Sequence, residues 1–148
     1  MKPPEEIPDE LKHRFTMGGR ISACYLYCDG TKAGPPKWTI EQFRYALAAN
    51  AAGALGCYEV ADTWLRSAIA RHPINGKRVA LFGSADQGCG PWYEAMILSH
   101  GGIPTVLEYQ IPTYPPELPI QTMLANEIPA EPFDVGISIS SFEHSGLG

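Results

Sequence analysis

The sequence predicts an α/β protein built on a parallel sheet, and three observations carry that prediction. The short apolar run "KRVALFG" ends in a glycine-rich loop that opens into the helical segment "WYEAMILSHGG". A second apolar run, "IPTVLEY", follows that helix, completing a β-α-β unit. Two further strand-like runs, "IQTML" and "FDVGISIS", come after it, a pattern that suits a Rossmann-like parallel sheet.

The elements are predicted in order as follows. Residues 1–38 form an arm carrying Pro3, Pro4, Pro8, Pro35 and Pro36, with little helical periodicity. Within it, "RISACYLYCDG" alternates Ile21, Ala23, Tyr25 and Tyr27 on one face and predicts one short strand. Residues 39–75 form a helical layer preceding the sheet. Thr39 with Gln42 three residues later is a capping-box pattern, and Ile40, Phe43, Leu47 and Ala48 fall on one stripe. Gly53 and Gly56 break the pattern. A second helix runs from Tyr58 to Arg71, with Ala61, Trp64, Leu65, Ala68 and Ile69 turned inward, and Pro73 ends it.

Residues 76–148 carry the sheet. Pro91 suits the first turn of the helix after the first strand, and the Gly101-Gly102 pair stops that helix. "QIPTYPPELP" is too rich in proline for a regular helix, so the links after Tyr109 and Leu124 are extended loops.

Composition narrows the function. Apolar residues make up 45% and charged residues 18%, enough to bury a core in one domain of 148 residues. A net charge of -5 without any Lys/Arg cluster argues against nucleic acid. No apolar run approaches the roughly 20 residues that span a bilayer. The acidic, Pro-rich start "MKPPEEIPDE" is not a signal peptide, so a cytoplasmic protein is expected. Cys24 and Cys28 are spaced C-x3-C, while Cys57 and Cys89 stand alone. The set matches neither a disulfide framework nor a zinc site, so free, mostly buried thiols and no metal are expected. His13, His72 and His100 are dispersed and suggest no site.

The loop "GSADQGCGP" is the first candidate site. Gly83 and Gly88 have the separation of a phosphate loop, but Cys89 and Gly90 replace the Lys and Ser/Thr that hold terminal phosphates. A dinucleotide fingerprint starting at Gly88 would need glycine where Tyr93 stands, which leaves NAD-type binding a weak alternative. An S-adenosylmethionine site tolerates a looser loop, because that ligand has no pyrophosphate. It also needs an acidic residue ending the second strand to accept from the ribose hydroxyls. Glu108 stands there, about 25 residues after Gly83. Gly83, Ser84, Gly88, Gly90 and Glu108 are therefore the candidate cofactor residues. Trp92 and Tyr93 fit the core better than an adenine stack.

"FDVGISISSFEH" resembles the fourth-strand segment of class I methyltransferases, in which an "FD" pair enters the strand and its end lines the pocket. That resemblance implies Ser140, Ser141 and Phe142 near the transferable methyl group, and Asn126, after the third strand, beside the adenine. Glu143 and His144 would face the substrate, with His144 as a general base and Glu143 orienting it or acting alone. More narrowly, "GSADQGCGPWYEA", "LEYQ" and "SSFEHSGLG" resemble a eukaryotic domain-of-unknown-function family first catalogued from Caenorhabditis, itself methyltransferase-like. The resemblance runs from about Trp38 to Gly148 and includes "FTMGG".

Two departures from that class stand out. Leu81 occupies the place of the acidic residue that would hold the ligand's amino group, with Asp86 in the loop as a substitute. Seven strands are expected of the class and four are found, with the fourth expected to be central. The chain thus looks like the first half of such a domain, its fourth-strand edge covered by the rest of a longer protein or by a dimer partner. The functional expectation is an S-adenosylmethionine-binding methyltransferase-like domain, and the alternative is a non-catalytic binding or scaffold domain of the same fold.

Overall fold

The computed structural model describes residues 6–23, 34–84, 88–127 and 131–139. They divide into two compact units, one reaching Gly34 and the other starting at Pro35.

The first unit contains helix α1 (Asp9–Phe15), which the apolar pattern did not announce. No residue of α1 is buried. Charge arranges it instead. Asp9 and Glu10 sit in the first turn and Lys12, His13 and Arg14 in the last, each sign at the favourable end of the helix dipole. Arg20 to Ala23 form a turn and irregular chain, so the expected strand does not begin there, and Tyr25 and Tyr27 lie outside the described residues.

The second unit opens with α2 (Ile40–Ala51) and α3 (Val60–Arg71). The capping box forms as the sequence predicts: the Gln42 amide donates to Thr39 Oγ1 at 3.2 Å and the Thr39 amide donates to Gln42 Oε1 at 2.8 Å. On α2, Phe43, Ala46 and Asn50 are buried while Ala48 is exposed, so the inward stripe is rotated from the expected one.

On α3 the correction is larger. The buried positions are Asp62 and Ile69, and Trp64 is 69% exposed. The apolar stripe of Ala61, Trp64, Leu65 and Ala68 lines an open groove beside the sheet rather than filling the core.

The sheet comprises β1 (Arg78–Phe82), β2 (Ile103–Glu108), β3 (Gln121–Leu124) and β4 (Val135–Ser138). Every pairing is parallel and the order is β3-β2-β1-β4, confirming an α/β, Rossmann-like arrangement. Among the described residues β4 is an edge strand beside β1, so its outer edge is open in this four-stranded sheet, as expected. The central segment Val79-Ala80-Leu81 is buried, as a strand flanked on both sides must be.

Asp134 fixes where β4 begins. Its carboxylate accepts from the Arg78 amide at 2.8 Å and its own amide donates to the Arg78 carbonyl at 3.0 Å. Arg78 also lies 5.3 Å from the centroid of the Phe133 ring. The "FD" pair thus clamps β4 onto β1.

Helix α4 (Trp92–Ser99) connects β1 to β2 and packs against both strands and against α2. It is apolar almost all round because it is covered on both sides, and Trp92 through Ile97 are all buried. The core joins Phe43 and Ala46 of α2, Met96 and Ile97 of α4, and Val79, Leu81, Val106 and Ile137 of the sheet.

Candidate glycine-loop site at the carboxyl edge of the sheet

In a parallel sheet all strands deliver their last residues to one edge. Here β2 and β4 lie on opposite sides of β1, so successive connections from β1 and β3 diverge at that edge. Open α/β sheets bind ligands in such a crevice. Gly83 follows β1 with φ +67°, a left-handed turn that costs other residues about 1–2 kcal/mol. Glu108 ends β2 and is half-buried, and its carbonyl accepts from the Ala125 amide at 3.0 Å. Asn126 follows β3 on the exposed surface. Parallel pairing therefore brings Gly83, Ser84, Glu108 and Asn126 to one edge. Gly88 and Gly90 return from the loop to α4, Gly90 with φ +63°. Glu143 and His144, with Ser140, Ser141, Phe142 and Asp86, lie outside the described residues.

Ser84 has a role the sequence did not suggest. It is 4% exposed, and its hydroxyl donates inward to Glu94 Oε1 at 2.8 Å. The Tyr114 hydroxyl donates to the same oxygen. Glu94 is fully buried, and its Oε2 has no hydrogen-bond partner. Burial pushes its pKa up to about 7, against the lowering effect of Tyr114, the backbone and Ser84, while the Glu108 charge adds to the rise. Burial first, then the Glu94 charge and hydrogen bond, raise the Tyr114 pKa well above the ordinary tyrosine range. The buried Trp38 indole N–H lacks a partner in good geometry, although the indole still counteracts part of that rise. Trp38 is held there by backbone pairing, its amide donating to the Thr113 carbonyl at 2.9 Å.

A second polar cluster supports the loop from its far end. Asp62, 0% exposed, accepts from Trp92 Nε1 at 2.9 Å, from the Tyr93 hydroxyl at 2.7 Å and from the Gly56 amide. Trp92 and Tyr93 are therefore core residues, as expected, anchored by a carboxylate that the apolar pattern of α3 concealed. A Cβ on Gly56 would sit 2.5 Å from Trp92 Nε1, so only glycine admits the indole there. Arg66, one turn beyond Asp62, donates to the Asn50 carbonyl at 3.1 Å, to Asn50 Oδ1 at 2.9 Å and to the Ala54 carbonyl at 2.8 Å. Asn50 Nδ2 in turn donates to the Trp92 carbonyl at 3.2 Å.

Cys57 and Cys89 form a disulfide, with Cα atoms 5.5 Å apart. This corrects the expectation of free, buried thiols for this pair: Cys57 is exposed and Cys89 half-buried. A separation of 32 residues across two loops carries no framework spacing, so the pairing appears only in the fold. Cys24 and Cys28 lie outside the described residues.

Two clefts flank these elements. One, of about 470 Å³, lies between the first turns of α2 and the glycine loop, with Trp38, Glu41, Tyr45, Cys89 and Gly90 in its walls. The larger, of about 580 Å³, is the apolar groove between α3 and β4. Among the described residues no cluster of His, Cys, Asp and Glu could hold a metal ion. Among them, too, no helix is long and apolar enough to cross a membrane.

Comparison with family models, curated proteins and solved structures finds no match to this chain. Function therefore rests on the geometry of the site.

Proposed function

We propose that the chain is a methyltransferase-like domain that binds S-adenosylmethionine at the carboxyl edge of its sheet. The observation that carries this reading is the position of Glu108. It ends β2, the strand beside β1, and β1 turns through left-handed Gly83 into the glycine loop. A carboxylate at that position suits two vicinal ribose hydroxyls, and glycine lets backbone approach a ligand closely. Gly83, Gly88 and Gly90 would contact the ligand through backbone and Asn126 would stand beside the adenine, while Ser84 would serve through its main chain, since its hydroxyl is engaged by Glu94. The bound cofactor supplies an electrophilic methyl group. Glu143 and His144 remain the proposed acid-base pair facing the acceptor.

A second reading, a non-catalytic binding or scaffold domain of the same fold, is favoured by Leu81. That residue is fully buried in the central strand and offers nothing to a ligand's amino group. Isothermal titration with S-adenosylmethionine and S-adenosylhomocysteine, beside Glu108→Ala and an NAD control, separates the readings. Micromolar binding that Glu108→Ala weakens at least tenfold, the equivalent of about 1.4 kcal/mol, supports the first. Absence of binding by chain that circular dichroism shows to be folded supports the second.

A further inference from the structure

We propose that the Cys57–Cys89 disulfide is a redox latch that fixes one wall of the glycine-loop cleft. One end of the bridge lies in the cleft and the other lies in solvent. Cys89, between Gly88 and Gly90, lines the cleft together with Trp38 and Tyr45. Cys57 is exposed on the connection between α2 and α3, so a reductant reaches it without unfolding the core.

The ground to which the bridge ties the loop is joined to the core. Gly56, next to Cys57, donates to buried Asp62 and packs under Trp92, and Asp62 also holds Trp92 and Tyr93 at the start of α4. Pro91 and α4 follow the loop directly, so with the bridge closed Cys89 is tied to the α2–α3 connection just before the anchored start of α4. Once it opens, a chain rich in glycine regains its backbone freedom. The side chains that Asp62 holds, Trp92 and Tyr93, belong to α4, and the remaining donor is the Gly56 backbone amide, so neither cysteine side chain is a member of that cluster.

The chemistry is a two-electron exchange. On opening, a dithiol reductant's thiolate attacks one sulfur of the bridge and the S–S bond breaks, leaving a mixed disulfide and one protein thiol. The reductant's second thiolate then displaces the other protein sulfur. The reductant leaves as a disulfide, and both cysteines gain a proton. Closing is the reverse, with a disulfide oxidant taking the two electrons.

That the latch governs ligand binding rests on the proposal of a cofactor site at this loop, but the latch has a readout of its own. The full chain is purified without reductant, and its peptides are mapped by mass spectrometry. Amide hydrogen exchange is then followed in the peptide spanning Gly88 to Trp92, with and without dithiothreitol, in the native chain and in Cys57→Ser. The expected result is a linked Cys57–Cys89 peptide and exchange about tenfold faster on reduction, with β1 and β2 unchanged. Cys57→Ser should exchange fast in both conditions, showing that the effect belongs to this bridge and not to Cys24 or Cys28. Absence of the linked peptide, or loop exchange indifferent to dithiothreitol, overturns the latch. Titration of S-adenosylhomocysteine into both redox forms completes the test. Tighter binding by the oxidised form supports latch and site together. A loop that responds while neither form binds supports the latch and sinks the cofactor reading alone.

Discussion

Tyr114 donates its hydroxyl to the buried carboxylate of Glu94, tying the loop between β2 and β3 to the helix beneath the glycine loop. A pH dependence follows from it. Glu94 has a folded pKa of about 7 against an ordinary value of 4.5. The folded state therefore holds a proton that the unfolded chain releases. Its favourable contribution is fully present below about pH 4.5 and is lost as pH rises through about 7. At about 1.4 kcal/mol per pKa unit the loss amounts to roughly 3 kcal/mol. Glu94→Gln keeps an acceptor for Ser84 and Tyr114 and cannot titrate. Urea unfolding from pH 5 to 8 should show the native chain losing stability relative to Glu94→Gln. Parallel stability curves would refute this.

Asp62 is expected to matter more for stability than any apolar residue of α3 that lines the open groove. Removing it strands the Trp92 and Tyr93 donors inside the core, each at about 1–3 kcal/mol. Asp62→Ala should therefore cost roughly 3 kcal/mol or more in denaturant unfolding, and Tyr93→Phe only about 1 kcal/mol. In the Asp62→Ala background, Tyr93→Phe should become neutral or mildly stabilising, because the stranded hydroxyl is gone. Additive losses across the cycle would show that the two residues do not act together.

The parts of this fold legible in sequence are those governed by local rules. The capping box at Thr39, the uninterrupted apolar run of β1 and the proline-rich link after β2 each follow from neighbouring residues alone. The cysteine pair and the Tyr114–Glu94 hydrogen bond were not legible, since both join segments that are separate in sequence and meet only in the fold. Periodicity failed for α3 in an instructive way. It placed Ile69 in the core and Leu65 against it correctly, but Trp64 of the same stripe is exposed and the other buried position is Asp62, which the pattern did not mark. One signal went unused. Glu94 stands in the otherwise apolar "WYEAMILS", and a carboxylate in a helix hydrophobic on every side is a buried one. The places of Gly83 just after β1 and of Glu108 at the end of β2 were legible because each stands where an apolar run stops.

The "FD" pair entering β4 distinguishes likeness of sequence from likeness of function. Asp134 is engaged by the backbone of β1, its carboxylate on the Arg78 amide and its amide on the Arg78 carbonyl, at the end of the strand away from the glycine loop. Its work is to set the register Val79↔Val135 between β1 and β4. Asp134→Ala should cost about 1 kcal/mol, the ordinary value of one such hydrogen bond. Asp134→Asn, which retains the acceptor, should lose less. If the proposed cofactor site is there, neither variant should change the affinity for S-adenosylhomocysteine, while Glu108→Ala should weaken it at least tenfold without a comparable loss of stability. Thermal unfolding and titration of the three variants side by side decide the matter. A change in affinity for Asp134→Ala larger than its loss of stability explains would show that the pair reaches the ligand and does more than clasp two strands.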